Sequence, residues 1–201
     1  MPGHNNDTKF ENAIFVENLH LFLSKEERNG VVNALSQQQI EIVFHENENT
    51  VNASLFTAVT ILFNEPLTKM IIADLLTMAA YDAIKYTISC FLANLKKIKL
   101  VKLSSKKEKV NEIPAQLNLR LKTSNAEMNV LLPNNLTHDQ NLDYVDRMLK
   151  TMVELGKTEI LRTQNYEMYI IEGNDDENPE LLKVKTCIEY MKEQRILKEK
   201  N

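Results

Sequence analysis

The sequence predicts an α+β fold. Antiparallel β-hairpins pack on about four helices, a long and mostly buried helix near 67–97 lies at the centre, and the C-terminal half runs ββαββα. Three observations carry this expectation. Leu67–Leu95 is apolar except along one edge. At about 100° per residue Asp74, Asp82, Lys85 and Ser89 fall within roughly a quarter turn, while Met70, Ile71, Leu75, Leu76, Ile84, Ile88, Phe91 and Leu92 cover most of the remaining circumference. Leu117, Leu119 and Leu121 alternate with Asn118, Arg120 and Lys122, and Met128, Val130 and Leu132 resume the alternation after a polar turn. That is the period of a hairpin with one wet face. Helix-opening signals also recur: Ser24 stands three residues before Glu27, the capping-box spacing, and Thr137 precedes an apolar-periodic run.

The elements follow in order. Ala13–Leu23, rich in Ile, Phe, Val and Leu, reads as a strand. Ser24 opens a helix that turns Val31, Val32 and Leu35 inward and ends near Gln38. Ile40–His45 alternates as a strand does. Val51–Phe63 is long enough for a helix, but its Thr, Val, Ile and Phe content favours a strand near Leu55–Phe63. Asn64-Glu65-Pro66 breaks it, and proline is tolerated at the helix entrance because its missing N–H would be unpaired there anyway. After the long helix, Ile98–Leu103 forms a short strand. Ser104–Pro114 is a polar, lysine-rich connection. The helix capped by Thr137 carries Leu142, Val145, Leu149 and Met152 on one side and stops at Gly156. Glu159–Arg162 and Tyr166–Glu172 form a second hairpin, and Asn178-Pro179 opens a last helix bearing Leu181, Val184, Ile188 and Met191. The chain therefore divides into a polar, mobile tail over 1–9, an N-terminal α+β subdomain over 10–103, the connection 104–114 and a C-terminal subdomain over 115–201.

Composition narrows the function classes. Apolar content of 43% and charged content of 26% are those of a globular protein. A net charge of −4 gives no general attraction to nucleic acid or anionic lipid. The lysine run between Lys96 and Lys109 has no interleaved aromatic residue on which a base could stack. Four glycines, no two of them close together, against an average usage of about 7%, exclude the glycine-rich phosphate loops in their usual forms. Cys90 and Cys187 belong to no C-x-x-C pair and are expected to be free, buried or half-buried thiols. The N-terminal residues have neither a basic stretch nor an apolar core, so a cytoplasmic location is expected. A membrane span at Met70–Ser89 would carry Asp74, Asp82 and Lys85. Each costs about 2.5–3.5 kcal/mol near the bilayer centre, against about 0.3–0.6 kcal/mol returned by each strong apolar residue. Abundant Lys, Asn and Ile fit an AT-rich microbial or phage genome.

No motif rises to a named chemistry. The histidines His4, His20, His45 and His138 have no metal-site spacing, and surface acids at a strand end account for His45 with Glu46 and Glu48, so no metal and no cofactor is expected. Asp139 suits the positive end of a helix dipole. Asp74 and Asp82 share a helix face two turns apart, and Lys85 is placed to pair with Asp82 at i,i+3. The expected function is that of a non-catalytic cytosolic interaction or regulatory protein. It binds a protein partner, or a second copy of itself, with Asp74, Asp82 and Lys85 as the partner-binding residues, and no small-molecule ligand can be inferred. Two alternatives stand beside it: an enzyme of unrecognised class using Asp74, Asp82 or His45, and a membrane-acting effector working through 67–95.

Overall fold

A mixed sheet organises the chain in the computed structural model, which describes residues 11–17, 23–45, 58–95, 99–102, 111–114, 116–132, 136–158, 166–175 and 178–199. The elements are β1 (Ala13–Glu17), α1 (Lys25–Ser36), β2 (Glu41–His45), β3 (Ala58–Phe63), α2 (Glu65–Ile72), α3 (Met78–Leu95), β4 (Lys99–Lys102), β5 (Asn111–Pro114), β6 (Gln116–Lys122), β7 (Ala126–Leu132), α4 (His138–Lys157), β8 (Glu167–Asn174), β9 (Leu182–Thr186) and α5 (Cys187–Glu199). Seven strands join in the order β2-β1-β3-β6-β7-β8-β9, and β4 and β5 pair separately. β1/β2, β3/β6 and β7/β8 are parallel; β1/β3, β6/β7 and β8/β9 are antiparallel.

Alternation along each strand gives the sheet two chemically different faces. Register places Phe44, Val16, Ile61, Leu119, Val130, Ile171 and Val184 in one line across the inward face. Ile42, Ile14, Phe63, Leu121, Met128, Tyr169 and Thr186 form the next. Val31 and Leu35 of α1, Leu67 and Ile71 of α2, Ile84, Ile88 and Phe91 of α3, and Val145, Met148, Leu149 and Met152 of α4 close over these lines in one continuous core. Each fully buried large side chain contributes about 1.5–3 kcal/mol gross. The outward face carries the line Val43, Phe15, Leu62, Arg120, Asn129, Ile170 and Lys185.

Caps fix the helix ends where the sequence placed them. Ser24 and Glu27 form the reciprocal capping box of α1, and Thr137 with Gln140 does the same for α4. Asn64 Oδ1 accepts the Leu67 N–H at 3.1 Å to cap α2, and also accepts the Ala13 N–H at 3.1 Å, which ties the start of β1 to the helix entrance. The chosen strand before Asn64 is β3; residues 51–57 lie outside the described set. The hairpin of alternating leucines is β6–β7, and the C-terminal order is ββαββα.

Several expectations are corrected. The helix expected over 67–97 is two helices, α2 and α3, broken at 73–77. The break is a Schellman closure: Leu75 N–H donates to Met70 O at 2.9 Å, Asp74 N–H donates to Ile71 O at 3.1 Å, and Asp74 takes the left-handed φ of 55°. Thr77 then caps α3, its Oγ1 accepting the Ala80 N–H at 3.1 Å. The sheet is mixed rather than built from hairpins alone, and the described helices number five. Part of the polar connection, Asn111–Pro114, is a strand paired with Lys99–Lys102. The second hairpin joins β8 to β9, so Leu181 and Val184 belong to a loop and a strand, and the last helix starts at Cys187. The strand assigned to 159–162, the tail over 1–9 and most of the lysine run lie outside the described residues. Both cysteines are free and half-buried, and no described helix is long and apolar enough to cross a membrane.

Candidate functional site

The break between α2 and α3 brings the first of the sequence-nominated residues to a corner of the molecule. Asp74 is exposed in the turn, Asp82 is exposed on the second turn of α3, and Lys85 is half-buried one turn further on. Between the two carboxylates in sequence stand Leu75 and Met78, 67% and 81% exposed, although both are large and apolar. Burying them would be favourable by about 1.5–3 kcal/mol each, so leaving them in water forgoes that gain.

α4 forms the opposite wall. Asp146, Lys150, Val153 and Lys157 recur at helical spacing along one stripe, with Glu154 beside them. A groove of about 310 Å³ is lined by Lys150, Val153, Glu154 and Lys157 of α4, by Asp74 and Tyr81, and by Asn178, Glu180 and Leu181 of the β8–β9 connection. Its cations are paired: Lys157 Nζ meets Glu154 at 2.6 Å and Lys150 Nζ meets Glu180 at 3.5 Å. Lys85 is also engaged, with Asp146 of α4 at 2.6 Å rather than with Asp82, and the Tyr81 hydroxyl donates to the same carboxylate at 3.0 Å. Tyr81 and Lys85 therefore lock α3 to α4 beneath the groove.

The protonation states follow from these partners. Burial and the Asp146 carboxylate push the Tyr81 hydroxyl well above its ordinary range, and Glu154 pushes the Lys157 ammonium upward. Both shifts move the group away from neutral pH, which leaves a hydrogen-bond donor and a cation rather than a proton acceptor.

The corner owes its shape to Gly156 at the end of α4. A Cβ there would overlap the carbonyl oxygen and Cγ2 of Ile72, the last residue of α2. Only a residue without a side chain lets the two helices approach so closely. That contact sets the end of α2 and with it the position of Asp74 over the groove.

His45 is not part of this arrangement. It sits on the outward face at the end of β2, its ring stacked on Phe15 at 5.7 Å between centroids, and the sheet separates it from Asp74 and Asp82. The outward face has its own charged cluster. Glu127 is 5% exposed and accepts from Arg120 Nε at 2.9 Å, Arg120 Nη2 at 2.7 Å, Asn129 at 3.3 Å and the Tyr166 hydroxyl at 3.0 Å. Burial raises its carboxyl pKa, but the hydrogen bonds from Arg120 and Tyr166 outweigh it and hold the group below the usual carboxylate range. With its oxygens so fully engaged, Glu127 joins β6, β7 and the start of β8. Among the described residues no group of three or more His, Cys, Asp or Glu side chains is placed to hold a metal ion.

Sequence periodicity gave Asp74, Asp82 and Lys85 but missed Leu75 and Met78, which an unbroken helix assigns to its buried side. It also missed the α4 stripe, although the Asp146, Lys150, Val153 and Lys157 spacing was readable. Compared with protein-family models, curated proteins and solved structures, the chain matches none of them.

Proposed function

We propose that this chain is a non-catalytic interaction protein that receives a protein partner at the α2–α3 corner, with Asp74 and Asp82 as its polar contacts and Lys85 as the residue that holds the platform. The observation that carries this reading is the exposure of two large apolar residues, Leu75 and Met78, at the break between α2 and α3, where Asp74 also lines a groove. Such a surface suits a segment that offers apolar side chains to Leu75 and Met78 and cations to Asp74 and Asp82. Tyr81 and Lys157, both shifted away from neutral pH, offer the groove a hydrogen-bond donor and a cation, which supports a binding role. A cytoplasmic setting belongs to the same proposal.

The test is affinity purification from the native host with the whole chain and with a Leu75→Lys/Met78→Lys variant, followed by reconstitution with the purified partner. The partner should bind the wild type and be lost at least tenfold with the double variant. Both side chains are exposed, so the variant should keep the wild-type circular dichroism. A partner that binds both forms equally would end the proposal.

A further inference from the structure

The two edges of the seven-stranded sheet are built differently. β9 is guarded: it carries Lys183 and Lys185, faces a register irregularity between Glu172 and Asn174, has its Leu182 N–H taken by Thr151 Oγ1 at 2.9 Å, and is followed directly by α5. Lysines, bulges and covering elements are the devices that stop a sheet edge from adding another strand. β2, at the other edge, reads Glu41-Ile42-Val43-Phe44-His45, with no lysine and no register irregularity against β1, and β1 is its only strand neighbour among the described residues.

We infer that β2 is the interface of a two-fold homodimer, in which it pairs antiparallel with β2 of a second copy about an axis at Val43. The backbone has the required phase. Glu41 donates its N–H inward, to Asn12 O at 2.9 Å, so by alternation Val43 and His45 also face β1, while Ile42 and Phe44 direct their N–H and C=O groups away from β1, to the edge that no other described strand occupies. Centring the axis on Val43 sets Ile42 opposite Phe44 of the second copy. Those are the residues that can exchange main-chain hydrogen bonds, about four in all.

The side chains agree with this phase. Ile42 and Phe44 lie on the inward face, so the apolar lines of the core continue into the second copy. Arg28 of α1, whose guanidinium sits 4.4 Å over the Phe44 ring, covers that seam. On the outward face Val43 meets its own symmetry mate. Glu41 meets His45 of the second copy at non-hydrogen-bonded positions, where side chains approach most closely. A strand whose two ends carry an acid and a base at equal distances from its centre is complementary to itself in antiparallel pairing. That complementarity favours a second copy over an arbitrary extended peptide.

This surface is separate from the α2–α3 corner and does not depend on it. The test uses light scattering after size exclusion, over a concentration series, on the full chain. Wild type should run as a dimer. Val43→Lys, which opposes two ammonium groups at the axis, should weaken the dimer on the order of tenfold, and so should Val43→Asp; mixing the two should restore a dimer containing one of each. Because Glu41 and His45 are exposed, Glu41→Lys should weaken dimerisation with the fold intact, and adding His45→Glu should restore it. A wild type that stays monomeric at every concentration overturns the inference. So does an undiminished dimer in both Val43 variants, or a Lys/Asp mixture that fails to recover the heterodimer. The Leu75→Lys/Met78→Lys variant should dimerise normally.

Discussion

Replacing Gly156 by alanine sets two physical effects against each other, and the structure decides between them. Alanine is better than glycine in a helix interior by about 1 kcal/mol, so propensity alone predicts stabilisation. The added Cβ, however, would overlap the Ile72 carbonyl oxygen and Cγ2 and would stand 3.0 Å from the carbonyl carbon. A backbone carbonyl at the end of α2 cannot rotate away as a side-chain tip can. The helices must separate, and overpacking against a backbone atom belongs at the upper end of the usual range, about 2–3 kcal/mol. The expected net loss is about 1–2 kcal/mol, a fall in Tm of roughly 2–8 °C for a chain of this size. Gly30 in α1 is the internal control. There the new Cβ meets only the tip of the Tyr86 side chain, its hydroxyl at 3.0 Å, and Tyr86 is 45% exposed, so the ring can shift outward by a few tenths of an ångström, straining at most its hydrogen bond with Cys90. Gly30→Ala should therefore keep most of the propensity gain and raise Tm by roughly 2–4 °C. Paired thermal and urea denaturation of the two variants measures both. The reasoning is refuted if Gly156→Ala is neutral or stabilising, since α2 and α4 would then not be in the contact that shapes the groove.

The remaining predictions concern single contacts. Asp74→Gly relieves a left-handed backbone and should stabilise by about 0.5–1 kcal/mol in urea melts, while weakening partner binding through the lost carboxylate. Asn64→Ala removes the cap of α2 and the tie to Ala13 together and should cost about 1–2 kcal/mol, with faster amide exchange at Ala13 and Leu67. The Glu127 carboxyl pKa lies lower in the folded chain than in the unfolded one. Its contribution is therefore present above the unfolded value, about 4.3, and is lost as pH falls through the lower folded value. Glu127→Gln should flatten the pH dependence of stability in that acid window and leave its slope above pH 6 unchanged.

What was legible in the sequence was local. Ser24, Asn64 and Thr137 cap helices through hydrogen bonds that reach three residues, and the leucines of β6 alternate because a strand does. The end of α2 was hidden because an aspartate occupies a position that glycine usually marks. The start of α3 was visible in principle, since Thr77 is a good N-cap residue. The start of α5 was visible too: Thr186 and Glu189 have capping-box spacing and make both of its hydrogen bonds, but the apolar Leu181 and Val184 fit a helical period and drew the boundary too early. The partner of Lys85 was not legible at all. Asp146 lies a whole sheet crossing away in sequence, and only the packing of α3 on α4 brings it there rather than Asp82.

The parallel seam between β3 and β6 joins the most distant neighbours of the sheet: Ala58 pairs with Gln116, a wider sequence gap than in any other strand pairing. β6–β7 and β8–β9 are hairpins, and the connection from β7 to β8, which carries α4, is shorter than that from β3 to β6, so the C-terminal four strands can assemble through smaller loop closures before the seam forms. Joining β3 to β6 then becomes the step with the largest ordering cost, and the exposed edges of the two unjoined halves are what a chaperone would meet during synthesis.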